Sequence, residues 1–216
     1  MKRIKDPVSG LTHLASAIVA VIGAVALWWL GPSGLPARVS LMVYSASSVV
    51  LFGASSVYHL IKTRPSRELW LRKLDHTAIF LFIAGTYTPV CVIVLTGVWS
   101  LGLLIAVWSL AGIGILFKLA FMHAPRWLSV TVYLAMGWLG VIAIGEMLQA
   151  LPLQAFIWLL IGGLLYSVGA VVYATKRLNL FPGVFGFHEV WHLFVTAASA
   201  AHYVFIVAYV VPFALR

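Results

Sequence analysis

The run from Phe187 to Pro212 reads FHEVWHLFVTAASAAHYVFIVAYVVP. It holds one carboxylate, no lysine and no arginine, and it exceeds the roughly 20 apolar residues a helix needs to cross a bilayer. As a helix it places His188 and His192, four apart, on one face, one turn above each other. Polar clusters at the mouth of a membrane span are costly to keep, so this pair points to a task, and a divalent metal is the first candidate.

Outward from that run, the whole chain has the same character. Its 216 residues are 63% hydrophobic and only 9% charged, with a mean hydropathy of +1.07. That excludes an ordinary soluble domain. The apolar runs are about 20 residues long, without strand-like alternation, so the spans are helices and not barrel strands. The net charge of +9 comes from basic residues lying between apolar runs. They suit anionic lipid headgroups, and no nucleic-acid partner is expected. Cys91, the sole cysteine, sits inside an apolar run, which excludes an internal disulfide and a cysteine-rich metal site. The basic stretch Met1 to Pro7 precedes a run too long for a signal peptide, with no small-residue cleavage site close behind it, so it leads into a first span.

Seven spans follow, at roughly 11–31, 39–61, 74–96, 98–118, 127–148, 153–175 and 187–212. The expected fold is all-α, a single seven-transmembrane helical bundle over residues 1–216. Gly31 to Gly34 reads as a turn, Lys62 to Lys73 as a charged loop, and Thr96-Gly97 as a tight reversal. His123 to Arg126, Leu151-Pro152 and Asn179 to Gly186, with Pro182 and Gly183, supply the other breaks. With the N-terminus inside, Lys2, Arg3, Lys5, Lys62, Arg64, Arg67, Arg72, Lys73, Lys118, Arg126, Lys176 and Arg177 are all internal. Only Arg38 and Arg216 are external. This asymmetry predicts a cytoplasmic N-terminus and an outside C-terminus in the bacterial inner (plasma) membrane.

On that topology Ser55 and His59 end the second span on the inner side, Asp75 and His76 begin the third, and His188 and His192 begin the seventh. Three imidazoles, His59, His188 and His192, thus fall in one layer. Catalytic zinc commonly takes three protein ligands and leaves a position for water, whose pKa it lowers towards about 7. Asp75 and Ser55 would hold or deprotonate that water, or orient a ligand. The alternative is a set of interfacial histidines that cap helix ends or bond one another. His188-Glu189-x-x-His192 also matches the zinc-protease pattern with Glu189 as base. However, His202, ten residues beyond His192, lies about 15 Å deeper at helical rise and cannot complete that site. The other role for Glu189 is a rim charge paired with a basic residue. His202 either lines a cavity or bonds a carbonyl of a neighbouring helix, and the second is favoured. His13 and His76 at the inner rim and His123 in a loop receive no ligand role. Thr86-Tyr87-Thr88-Pro89 predicts a kink. Gly162-Gly163 and Gly137-Trp138-Leu139-Gly140 read as close helix packing.

Ser55-x-x-x-His59, Leu74-Asp75-His76-Thr77 leading to Ile83-Ala84-Gly85-Thr86-Tyr87-Thr88-Pro89, and His188-Glu189-Val190-Trp191-His192-Leu193-Phe194-Val195 occur in order. Together they resemble the bacterial haemolysin III family, within the superfamily of progestin and adipoQ receptors and more distantly related to alkaline ceramidases. The resemblance implies zinc on His59, His188 and His192, with Asp75 engaging a zinc-bound water and Ser55 nearby. A large soluble N-terminal domain such as the animal receptors carry is not expected, which argues against hormone binding. Two functions compete. One is a zinc-dependent hydrolase of a lipid amide, ceramidase-like, with membrane lipids as partners and the zinc-bound water as nucleophile. The other is a non-enzymatic membrane-homeostasis or cytolytic protein in which the metal is structural. A transporter relaying through His202 and Glu146 has weak support, because the two lie at different depths.

Overall fold

The computed structural model describes residues 4–181 and 183–215. Met1, Lys2, Arg3, Pro182 and Arg216, used above for topology and turns, lie outside the described residues. The chain forms α1 (Pro7–Leu30), α2 (Leu35–Leu60), α3 (Pro65–Pro89), α4 (Gly97–Ala120), α5 (Arg126–Gly137), α6 (Ile144–Ala150), α7 (Leu153–Thr175), α8 (Phe187–Phe205) and α9 (Val211–Ala214). These build seven spans long and apolar enough to cross a membrane, with α5 and α6 sharing the fifth and α8 and α9 the seventh. The chain is therefore an all-helical, multi-pass membrane protein. Among the described residues no strand forms, only an isolated bridge between Phe181 and Phe185.

Proline opens several spans. It occupies the first turn of α1, α2 and α3, where its missing N–H has no intrahelical partner to lose. The third span corrects one expectation. Lys62 to Lys73 is not a loop throughout, because helix begins at Pro65 and only 61–64 are irregular. Hydropathy undervalued this stretch, since a charged segment outside the bilayer can still be helical. Pro65 starts it and Glu68 lies in its first turn, favourably placed against the helix dipole. Lys73 then donates from Nζ to the Leu119 carbonyl at 2.7 Å, tying the start of α3 to the end of α4.

The break expected at Thr86–Pro89 takes the form of a wider turn. Past Pro89 the backbone runs as a π turn over Val90–Val94, closed by Leu95 N–H on the Val90 carbonyl at 3.0 Å. A second π turn, Ile206–Val210, joins α8 to α9. The fifth span is also not continuous. Its Gly137–Gly140 stretch is a break rather than a plain packing surface, and α5 gives way to a 3₁₀ turn over Leu139–Ala143. The Tyr87 hydroxyl serves the loosened backbone there. It contacts the Met136 and Gly137 carbonyls at 2.9 and 2.7 Å and accepts Gly140 N–H at 2.9 Å.

Close packing does hold on α7. Gly162 makes room for the His202 ring, and Gly169 lies against Phe194 and Trp191, so α7 and α8 approach through glycines. The helix that carries His188 and His192 is thereby pressed onto its neighbour.

Candidate metal centre

The site forms where α2 ends and α8 begins. His59 is the second-last residue of α2, and His188 and His192 fill the first two turns of α8. His59 and His192 are buried, and His188 is half-buried. The spacing of four keeps the two α8 rings on one face, so their separation is fixed by helix geometry alone. His59 must be brought to them by packing.

All three rings converge through Nε2. His188 Nε2 lies 3.3 Å from His59 Nε2 and 3.1 Å from His192 Nε2, and the ligand atoms of the trio all lie within 4.8 Å of one another. Two imidazole nitrogens this close need a proton or a cation between them, because two lone pairs repel. Four-coordinate zinc with Zn–N bonds of about 2.0–2.1 Å separates its nitrogens by about 3.3–3.4 Å in tetrahedral geometry. Two of the three separations, 3.1 and 3.3 Å, match that spacing, and the His59–His192 separation is within 4.8 Å. The cluster could therefore hold a metal ion, and three soft-to-borderline nitrogen donors suit a first-row ion better than magnesium or calcium.

Asp75 and Ser55 lie on the wall of the cavity onto which the cluster opens. Both line it together with the three histidines, and Ser55 is buried there, four residues before His59 on α2. The cavity measures about 920 Å³, at the upper end for a ligand pocket. It passes Tyr44 and Tyr166 and reaches His202, Met147 and Ile206. From His188 to Ile206 along the last span is about 27 Å at helical rise, so the cavity extends over most of a bilayer's thickness.

Glu189 is not poised as a base. One carboxylate oxygen accepts Gly186 N–H at 2.8 Å and the other accepts the Ser9 hydroxyl at 3.2 Å. It caps the start of α8 and ties that helix to α1, so the protease-like reading of His188 to His192 fails on geometry. Among the described residues, the rim ion pair considered for it does not form. His202 takes the first of its expected roles, lining the cavity, with its ring packed against Gly162 of α7. His76 and His123 line the cavity outside the trio.

Two neighbours escaped the sequence reading. His13, given no role, packs its ring 3.8 Å from that of His192 and edge-on to Phe52, buried, with neither nitrogen in hydrogen-bonding geometry. Asp6 places Oδ2 3.1 Å from His59 Nδ1, and its own N–H donates to the His59 carbonyl at 2.9 Å. The rotation of α1 that delivers both residues has no signature in local spacing.

The family model described as haemolysin-III related matches residues 1–203. This chain belongs to the haemolysin III family. It is similar to a hemolysin-3 homolog of Bacillus subtilis (strain 168), 38% identical over 173 residues, covering 80% of this chain and 78% of that protein. Hemolysin-3 of Bacillus cereus is 39% identical over 176 residues, covering 82% of this chain and 77% of its own length. The human monocyte to macrophage differentiation factor is 26% identical over 196 residues, covering 89% and 79%. The resemblance read from the three motifs is therefore correct: the chain is a haemolysin III protein that carries a histidine trio with two of its rings buried and one half-buried.

Proposed function

We propose that this haemolysin III protein is a membrane-embedded, zinc-dependent hydrolase of a lipid amide. The observation that carries the proposal is the convergence of three Nε2 atoms on a cavity that Asp75 and Ser55 also line and that is long enough for an acyl chain. His59, His188 and His192 would hold zinc. The ion would supply Lewis acidity and lower the pKa of water towards about 7.

The chain's own groups account for the remaining needs. Asp75, on the wall of the same cavity, would take the proton from water as oxygen bonds to the amide carbonyl carbon. It would return the proton to nitrogen as the C–N bond breaks, releasing a fatty acid and an amine. A positioned carboxylate of this kind contributes about 10²–10⁴ in rate. Ser55 would help to hold Asp75 in place, and the apolar depth of the cavity would exclude water from the acyl chain. The clustering of Lys and Arg at the ends that meet at this site supports a location at the cytoplasmic leaflet.

A second reading, a lytic or homeostatic protein with a structural metal, follows from the names of the Bacillus relatives. Structural zinc sites are closed by four protein ligands. The cluster among the described residues comprises three, which favours an open, catalytic site. Purified protein loaded with zinc should release fatty acid from a ceramide or another N-acyl lipid, and Asp75→Asn should lose about 10²-fold or more. No release from any such lipid, with His188→Ala retaining full cellular function, would remove the enzymatic reading.

A further inference from the structure

Asp6 immediately precedes Pro7, the first residue of α1, and an aspartate there is among the best helix caps. Its carbonyl does accept Gly10 N–H at 3.0 Å, as a cap residue's should, yet its carboxylate makes no capping bond. The carboxylate turns away to His59 Nδ1 at 3.1 Å. A local rule is broken at this position, and such breaks concentrate at functional sites.

The tautomer follows from that contact. An oxygen-only acceptor at Nδ1 requires the ring proton there, so a neutral His59 presents a lone pair at Nε2. Nε2 is the atom that faces His188. A trio held together by protons alone needs N–H groups pointing inward, whereas Asp6 directs the lone pair of His59 inward, the form a cation needs. His59 is also the ligand that helix periodicity does not position, since it comes alone from α2. Residues beside Asp6 fasten the strap. Lys5 pairs with Glu68 at 2.7 Å and lies 3.8 Å over the Tyr58 ring, linking the chain before α1 to both α2 and α3.

We propose that Asp6 is a positioning residue of the metal centre, an N-terminal carboxylate that fixes the tautomer and rotation of His59 so that Nε2 meets the ion. This rests on the zinc-site reading above. Carboxylates in this relation to a metal-bound histidine commonly account for about 10–100-fold in metal affinity.

The test uses the full chain in detergent, with zinc affinity from chelator competition and the visible spectrum of the cobalt-loaded protein. Asp6→Ala should weaken zinc binding by about 10–100-fold and shift the cobalt ligand-field bands. Asp6→Asn, whose amide oxygen still accepts the Nδ1 proton, should recover part of both. Lys5→Ala removes the strap's other anchor and keeps the carboxylate, so it should stay within about threefold of wild type, well short of a lost orienting group. Wild-type affinity and spectrum in Asp6→Ala overturn the proposal. So does an equal loss in Asp6→Ala and Lys5→Ala that tracks a loss of helicity, because that marks a merely structural strap. A wild-type chain that binds no zinc sinks the metal reading itself, and with it this role for Asp6. A wild type that binds zinc beside an unaffected Asp6→Ala sinks only the latter.

Discussion

Gly169→Ala tests whether the α7–α8 seam sets the metal geometry. A Cβ on Gly169 would lie 2.6 Å from Phe194 Cβ and 3.0 Å from Trp191 Cε3. Phe194 Cβ is fixed to its backbone and cannot rotate away, so the helices must part by about 0.8 Å to restore ordinary contact near 3.4 Å. Trp191 and Phe194 flank His192, and that displacement exceeds the tolerance of about 0.2 Å for metal–ligand distances. Overpacking costs about 1–3 kcal/mol. Alanine's better helix propensity returns about 1 kcal/mol, leaving a loss of up to about 2 kcal/mol. For a chain of this size that is a fall in Tm of up to roughly 8 °C. The assay is thermal unfolding followed by a thiol-reactive fluorophore on Cys91, the buried sole cysteine, paired with zinc competition. Gly53→Ala, where a Cβ meets nothing within 4 Å, is the control and should not fall in Tm. A Gly169→Ala protein that melts with wild type and binds zinc equally well would show that the seam does not control the site.

Tyr87→Phe removes the hydroxyl shared by the Met136 and Gly137 carbonyls and the Gly140 N–H. Leaving such groups unserved costs about 1–3 kcal/mol, so Tm should fall and hydrogen exchange should rise first around the 3₁₀ break. Glu189→Gln keeps an oxygen for Gly186 N–H, so zinc affinity and lipid hydrolysis should stay within about threefold, whereas loss of a true general base would cost about 10²–10⁴ in rate. Gly162→Ala collides with the His202 ring and should destabilise the chain by about 1–3 kcal/mol, with Gly162→Ala/His202→Ala recovering part of that loss in the same melting assay.

The spans were legible because lipid demands long apolar helices, a signal few other effects imitate. The convergence of His59, His188 and His192 was legible for a related reason. Spans alternate in direction, so a residue's position along its span sets its depth, and the spacing of four sets the face. What hydropathy could not see was helix in water, hence the charged first turns of α3 from Pro65. A break inside an apolar run was equally hidden, because Leu139–Ala143 is as hydrophobic as the helix around it and only the Tyr87 hydroxyl marks it. Asp6 was masked by its own suitability as a cap, and His13 by the unknowable rotation of α1 about its axis. The cavity arises from side chains on many helices at once and has no local signature at all.

The most direct measurement is elemental analysis of the purified chain and of His59→Ala, His188→Ala and His192→Ala, each checked for retained helicity. About one zinc per wild-type chain, with each variant falling below about a tenth of that, is expected of a three-ligand site. A folded wild-type protein that takes up no zinc, or three variants that keep a full complement, would contradict a metal centre at this histidine trio.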